Sequence, residues 1–246
     1  MEQLDGKRGA MPLYLQIKNI IKKKIIDKTY DYQATIPSEL ELQNSYKVSR
    51  ITARQAILEL EREGYVSRAR GIGTIVIYQK KIEEFLTRIV SFTDEMKERN
   101  MVPGTKKASI EIISADEILA EVFHCNIGDN LYCIKRTRTA DGDPIVLFVS
   151  YFSISRNLPM DHERYMGSLY ELLAQLGIHS PVEVKEKFEV ALADKTIATE
   201  LDMKKGDPIL KRSRISYDDE REILEYTISY YRGDRYSYSI EIKNIR

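Results

Sequence analysis

The chain has no tryptophan, and its 246 residues include only two cysteines and three histidines. Cys125 and Cys133 match no metal-ligand spacing and are too few for a disulfide framework, so both read as small core residues. His124, His162 and His179 are scattered, which leaves no metal cluster and no obvious general base. Long apolar runs are missing as well. The longest clean one, Ile145 to Val149, falls far short of the roughly 20 residues that span a bilayer. The first ten residues lack the apolar core of a secretion signal. No membrane partner and a cytoplasmic chain are the expectations. Net charge is also absent, since 38 Lys and Arg balance 38 Asp and Glu. At first sight that argues against a nucleic-acid-binding protein.

The balance hides an asymmetry. Residues 1–78 carry a net charge of +4 and the remainder −4, as in a small basic domain joined to a larger acidic one. The length suffices for two ordinary domains with full cores. Hydrophobic residues at 43% and charged residues at 31% are usual for a globular protein.

Within the basic part, Pro12 opens a helical pattern whose apolar face is Leu13, Ile17, Ile20, Ile21 and Ile25. Ser38 and Glu41 have the spacing of a capping box and begin a short second helix, with Leu40 and Leu42 as its apolar contacts. Ser49 caps a third helix from Arg50 to about Glu63, stopped by Gly64. Ala53, Ala56, Ile57 and Leu60 form its buried stripe. Arg50 and Arg54, four residues apart, share a different face near its N-terminus. A hairpin follows, Tyr65 to Arg68 and Thr74 to Tyr78, whose tip carries Arg70, Gly71 and Gly73. Glycines there permit backbone conformations that allow close approach to a groove or a phosphate. This order places one helix in a DNA major groove and a wing on the neighbouring backbone. Arg50 and Arg54 also fit a plainer reading as surface charges paired with glutamates.

Residues 12–78 resemble the winged helix of the GntR family of bacterial regulators. The resemblance rests on Pro12-Leu13-Tyr14, Pro37-Ser38-Glu39, Glu41-Leu42, Val48-Ser49-Arg50, Thr52, Arg54, Glu63-Gly64, Arg68 and Gly71-Ile72-Gly73-Thr74. Departures are Ala53, where the family often has a β-branched residue, and Lys28-Thr29, where a glycine usually ends the first helix. The resemblance implies DNA contacts from Ser49, Arg50, Thr52, Arg54, Arg68, Arg70, Gly71 and Gly73.

Residues 79–90 read as a charged, hinge-like connection. Beyond them, strands are expected over 106–113, 131–139, 145–153, 182–192, 209–217, 223–231 and 236–242. Short helices are expected over 116–124, 168–176 and 194–201. This is an α+β domain built on an antiparallel sheet of about six strands. Alternation puts Tyr132, Ile134, Arg136 and Arg138 on one face. Two arginines at that spacing suit either an anion site or a polar outer face with ordinary salt bridges.

The region from about residue 85 to the end is similar to the UTRA ligand-sensing domain, which has a chorismate-lyase-like fold. Its marks are Ser91-Phe92-Thr93-Asp94-Glu95-Met96, Arg136-Thr137-Arg138 with Asp141-Gly142-Asp143-Pro144, Gly167-Ser168-Leu169-Tyr170 and Arg232-Gly233-Asp234-Arg235-Tyr236. The resemblance implies that Ser91, Arg136, Arg138, Ser168 and Tyr170 hold an anionic group, a phosphate by expectation, that Glu225 and Tyr231 face the rest of the ligand, and that Phe92 also lies on the effector. Sugar-phosphate sensors can carry a glutamate ten residues after the second arginine. Here Phe148 holds that place, which disfavours an amino sugar and admits a less polar or differently shaped effector.

Three segments are therefore expected: a winged helix-turn-helix over 1–78, a linker over 79–90, and an effector-binding and dimerisation domain over 91–246. The expected function is that of a homodimeric repressor on a near-palindromic double-stranded operator, released by a small anionic metabolite such as a sugar phosphate. No cofactor and no metal are expected. An enzyme is the competing class, but no nucleophile, base and orienter assemble along the chain.

Overall fold

The computed structural model describes residues 4–5, 7, 9–69, 71–78, 81–85 and 89–239. The chain divides into two compact units, Met1–Lys80 and Lys81–Arg246.

In the first unit, α1 (Leu13–Ile26) follows Pro12, whose carbonyl accepts the amides of Leu15 and Gln16. Ile17, Ile21 and Ile25 form its buried face. Beyond it, Lys28 takes the left-handed backbone conformation, φ 63°, that the family usually gives to glycine. The capping box at Ser38 forms as its spacing predicts. Glu41 N donates to Ser38 Oγ at 3.3 Å, and Ser38 N donates to Glu41 Oε2 at 2.8 Å. It starts α2 (Glu39–Tyr46). Leu42 is buried there, but Leu40 is 64% exposed. Residues two apart on a helix point about 200° away from each other, so only one of the two leucines reaches the core.

The third helix, α3 (Arg50–Arg62), begins at Ser49, whose Oγ accepts the Thr52 amide at 3.1 Å. Its buried stripe is the expected one, Ala53, Ala56, Ile57 and Leu60. A hairpin of β1 (Val66–Ala69) and β2 (Gly73–Val76) follows, in register from Val66 opposite Val76 to Ala69 opposite Gly73. Thr35 bridges to Ile75 on the outer side of β2. Ile17, Ile21 and Ile25 of α1, Leu42, the α3 stripe, Val66 and Val76 close one core.

The second unit opens with β3 (Ile82–Phe85), inside the stretch expected as a connection. It runs parallel to β10 (Tyr236–Ser239), near the far end of the chain, so it belongs to this unit's structure. Between them lie α4 (Phe92–Glu98), β4 (Pro103–Ser114), α5 (Glu117–Phe123), β5 (Asn130–Ala140), β6 (Asp143–Ser153), α6 (Leu169–Gln175), β7 (Glu183–Leu192), α7 (Lys195–Glu200), β8 (Pro208–Tyr217) and β9 (Ile223–Arg232). Six of the strands form one antiparallel sheet in the order β4-β5-β6-β9-β8-β7. Asp141 and Gly142, at φ 53° and 87°, turn β5 into β6 in two residues. Two successive positive φ values suit the right-handed twist of the strands that flank such a turn.

Alternation sorts the sheet into two faces. One carries Leu147, which packs with Ile197, Ala198 and Leu201 around α7. On the other lie Tyr132, Ile134, Arg136 and Arg138, all buried. Burial excludes the reading of the two arginines as a polar outer face. Among the described residues no helix is long and apolar enough to cross a membrane, and no group of three or more His, Cys, Asp or Glu is placed to hold a metal ion.

Candidate functional site

The first unit presents its charged candidates on the surface around the start of α3. The Arg50 side chain is 79% exposed, with its Nε 3.8 Å from Glu39. Arg54, one turn on, is also exposed. Ser49 and Thr52 join hydroxyl to hydroxyl at 2.9 Å, so both serve the helix start directly. Arg68 on β1 lies 3.6 Å from Glu39 and 3.5 Å from Glu61, tying the hairpin to both helices. Gly71 and Gly73 hold φ of 79° and 120°, conformations that side chains resist. Arg70 lies outside the described residues. Two apolar neighbours escaped the sequence reading. Ile51 is 81% exposed and Ile72, between the tip glycines, is 69% exposed. The signal for Ile51 was an isoleucine off the buried stripe of its helix.

In the second unit a single cavity of about 610 Å³, its open mouth included, brings together all nine candidates from the sequence. These are Ser91, Phe92, Arg136, Arg138, Phe148, Ser168, Tyr170, Glu225 and Tyr231. The sheet supplies its floor. Ser91 and Ser168 stand at its rim as the N-caps of α4 and α6, accepting the amides of Asp94 and Glu171.

The arginines of β5 set the chemistry. Arg136 is 4% exposed and Arg138 3%. Arg136 Nε donates to the Tyr165 carbonyl at 2.8 Å, and its Nη2 donates to the Gly167 carbonyl. Arg138 donates to the same Gly167 carbonyl at 2.6 Å and to Thr93 Oγ1 at 3.0 Å, with its guanidinium 5.0 Å from the centre of the Phe92 ring. Among the described residues Arg138 Nε is buried with no acceptor. These partners are neutral and do not cancel the charge. Burial, and then repulsion from Arg138, pushes the Arg136 guanidinium down to about 9, with Glu225 opposing the shift. Burial brings Arg138 to about 10. Both stay protonated at neutral pH, so two cations lie side by side under the cavity, with the carboxylate of Glu225 opposing part of the charge of Arg136 and that of Glu171 part of the charge of Arg138.

Glu225 accepts from the Tyr170 hydroxyl at 3.2 Å and from the Thr227 hydroxyl. Burial, and then Glu225 itself, raises the Tyr170 pKa, which keeps that phenol a donor. Phe148 packs edge-on between Phe92 at 6.1 Å and Tyr231 at 6.0 Å, an apolar wall beside the arginines. The sequence reading missed further lining residues, above all Arg212 and Arg214 of β8. Both are buried and paired with Glu186 of β7. Their period-two spacing repeats that of Arg136 and Arg138 and was the available signal.

Two family models match the chain. One, for bacterial regulatory proteins of the gntR family, covers residues 13–76, and the other, the UTRA domain, covers residues 98–237. The HTH-type transcriptional repressor NagR of Bacillus subtilis is 30% identical over 233 residues, which is 95% of this chain and 96% of NagR. The HTH-type transcriptional repressor PhnF of Mycolicibacterium smegmatis is 30% identical over 238 residues, 94% of each chain. The crystal structure of PhnF from Mycobacterium smegmatis superposes with a TM-score of 0.63 at 27% identity, covering 92% of this chain and 99% of PhnF. These models and relatives are transcriptional regulators and not enzymes.

Proposed function

The chain belongs to the gntR family of bacterial regulatory proteins and carries a UTRA domain, and from that premise we propose that this helix-turn-helix regulator is a repressor released by a small phosphorylated metabolite. The observation that carries the reading is the buried pair Arg136 and Arg138, held on backbone carbonyls, with Arg138 Nε unpartnered among the described residues. Burying two like charges whose hydrogen-bond acceptors are neutral is costly. A phosphate seated on them recovers that cost through charge-assisted hydrogen bonds. Phe148 puts an apolar ring where a carboxylate would grip an amine or sugar hydroxyls, which disfavours an amino sugar.

On the DNA side, Arg50 and Arg54 read base edges in the major groove. Ser49 and Thr52 set the helix start that aims them. Arg68, Gly71 and Gly73 present the wing to the backbone, and Arg70, outside the described residues, belongs to the same wing by sequence. Two copies of this cytoplasmic chain occupy a near-palindromic operator, one half-site each. The residues between the winged helix and the sensor carry the change. Release follows when the effector prefers the state that binds DNA poorly, and its leverage equals the difference in its two affinities.

A fluorescence-anisotropy titration on DNA from upstream of the chain's own coding sequence tests the proposal. Phosphorylated sugars and small phosphorylated acids are added in turn. The expected outcome is that one of them raises the protein concentration for half-binding by about tenfold or more. A compound that tightens binding instead, or release by unphosphorylated compounds alone, contradicts the reading.

A further inference from the structure

A phosphate on Arg136 and Arg138 leaves the other arginine pair of the cavity without a role. The register carries one straight row across four strands. Arg136 of β5 faces Phe148 of β6, Phe148 faces Ser229 of β9, and Ser229 faces Arg212 of β8. Neighbouring strands lie about 4.8 Å apart, so the backbones at the two ends of this row are separated by about 14 Å.

The side chains are held at opposite ends of that span. Arg136 and Arg138 are tied to the carbonyls of Tyr165 and Gly167. Arg212 and Arg214 are paired with Glu186 of β7, which lies beyond β8 from β5, and Arg214 also interacts with the Tyr170 hydroxyl. The Arg212 guanidinium also stacks on Tyr231 at 5.1 Å. A guanidinium is a planar fork, the geometry that grips a carboxylate or phosphate. A single phosphate group is much shorter than this row.

An ion pair kept for stability alone is the competing account. It is weak here, because apolar residues would fill two buried strand positions without the desolvation cost of two guanidinium groups. Both arginines instead line the same cavity as Arg136 and Arg138.

We propose that Arg212 and Arg214 form a second anion subsite, so that the effector carries a phosphate at one end and a carboxylate or a second phosphate at the other. This rests on the phosphate reading of Arg136 and Arg138. The intervening Phe148 and Tyr231 pack along the carbon skeleton between the two acidic ends.

Titration calorimetry on the full chain with matched probes tests it. Glucose 6-phosphate is compared with 6-phosphogluconate, which brings a carboxylate, and fructose 6-phosphate with fructose 1,6-bisphosphate, which brings a second phosphate. In at least one pair the doubly acidic member binds about tenfold or more tightly. Arg212→Met, which keeps an apolar stem, brings that ratio to within about twofold, and Arg212→Lys keeps an intermediate value. The pair that discriminates tells whether the second group is a carboxylate or a phosphate. Ratios near one in both wild-type pairs overturn the inference and leave the phosphate reading standing. A preference that survives Arg212→Met also overturns it. Binding of no probe at all overturns both. If Arg212→Met fails to fold, the wild-type ratios and Arg212→Lys decide.

Discussion

The same side chain serves the two units under opposite conditions. Arg50 stands in solvent, loosely paired with Glu39 at 3.8 Å. Arg136 is buried under a sheet and fixed by two carbonyls. An exposed pair is worth about 0–1 kcal/mol, so a DNA phosphate or a guanine edge displaces Glu39 readily. A buried guanidinium has lost its water in advance and cannot reorient, so it waits for a small anion of one shape. Mobile surface charge suits a long polyanion that the protein must scan and leave. Fixed buried charge suits a metabolite that must be distinguished from its neighbours in the cell.

The largest effect that would sharpen this contrast comes from the buried side. Arg136→Met strips the donors from two carbonyls and one of the two buried positive charges. The concentration of phosphorylated effector needed to release the operator should rise on the order of a hundredfold, as for truncating a buried charge-assisted contact. Release titrations measure it. A rise of only a few-fold would mean that Arg136 behaves like a surface charge, and the contrast would fail.

Next comes the exposed side. Arg50→Ala should remove about 1–3 kcal/mol of discrimination between operator and unrelated DNA. Thermal unfolding should hardly change, because the side chain supports nothing. Competition gel shifts give the ratio. Unchanged selectivity would return Arg50 to the plainer reading as a surface charge.

The two sites also differed in how legible they were. The reading surface is local: Ser38 with Glu41, Ser49 with Thr52, and the stripe from Ala53 to Leu60 fix it within 25 residues of chain. One expectation failed there: counting Leu40 as an apolar contact ignores its angle around the helix. The cavity is half local. Arg136 and Arg138 announce themselves at period two on a strand that continues into a hairpin. Arg212 and Arg214 show the same spacing, but nothing local says that β8 lies beyond β9 from β6. Only the order β5-β6-β9-β8 puts Arg212 in one row with Arg136. The same limit hid the pairing of β3 with β10, strands separated by about 150 residues of chain. Parallel strands can be that far apart in sequence, and no turn signal marks them.

A smaller effect separates aiming from contact. Ser49 holds the start of α3 through the Thr52 amide. Ser49→Ala should cost about 1 kcal/mol of stability. Operator affinity should fall for all sequences alike, because a frayed helix start misaims Arg50 without changing its chemistry. A loss confined to the operator would make Ser49 itself a reader of bases.

The smallest expected effect concerns charge that neither reads nor senses. Glu63, at the end of α3, accepts from Lys18 at 2.7 Å and Lys22 at 2.8 Å of α1. The hydrogen bond from Lys18, and then that from Lys22, holds its carboxyl below the usual carboxylate range. A depressed folded pKa gives stability that is present above the unfolded value of about 4.3 and is lost as pH falls through the folded value. The side chains involved are up to a third exposed, and water and salt screen them. Glu63→Gln should therefore cost no more than about 0.5 kcal/mol at neutral pH. The difference from wild type should vanish toward pH 3 and shrink in high salt. Chemical denaturation at several pH values measures it. A cost several times larger, insensitive to salt, would show that the first unit also builds stability on fixed charge, and the division between mobile and fixed arginines would then reflect burial depth within each unit and not the two kinds of ligand.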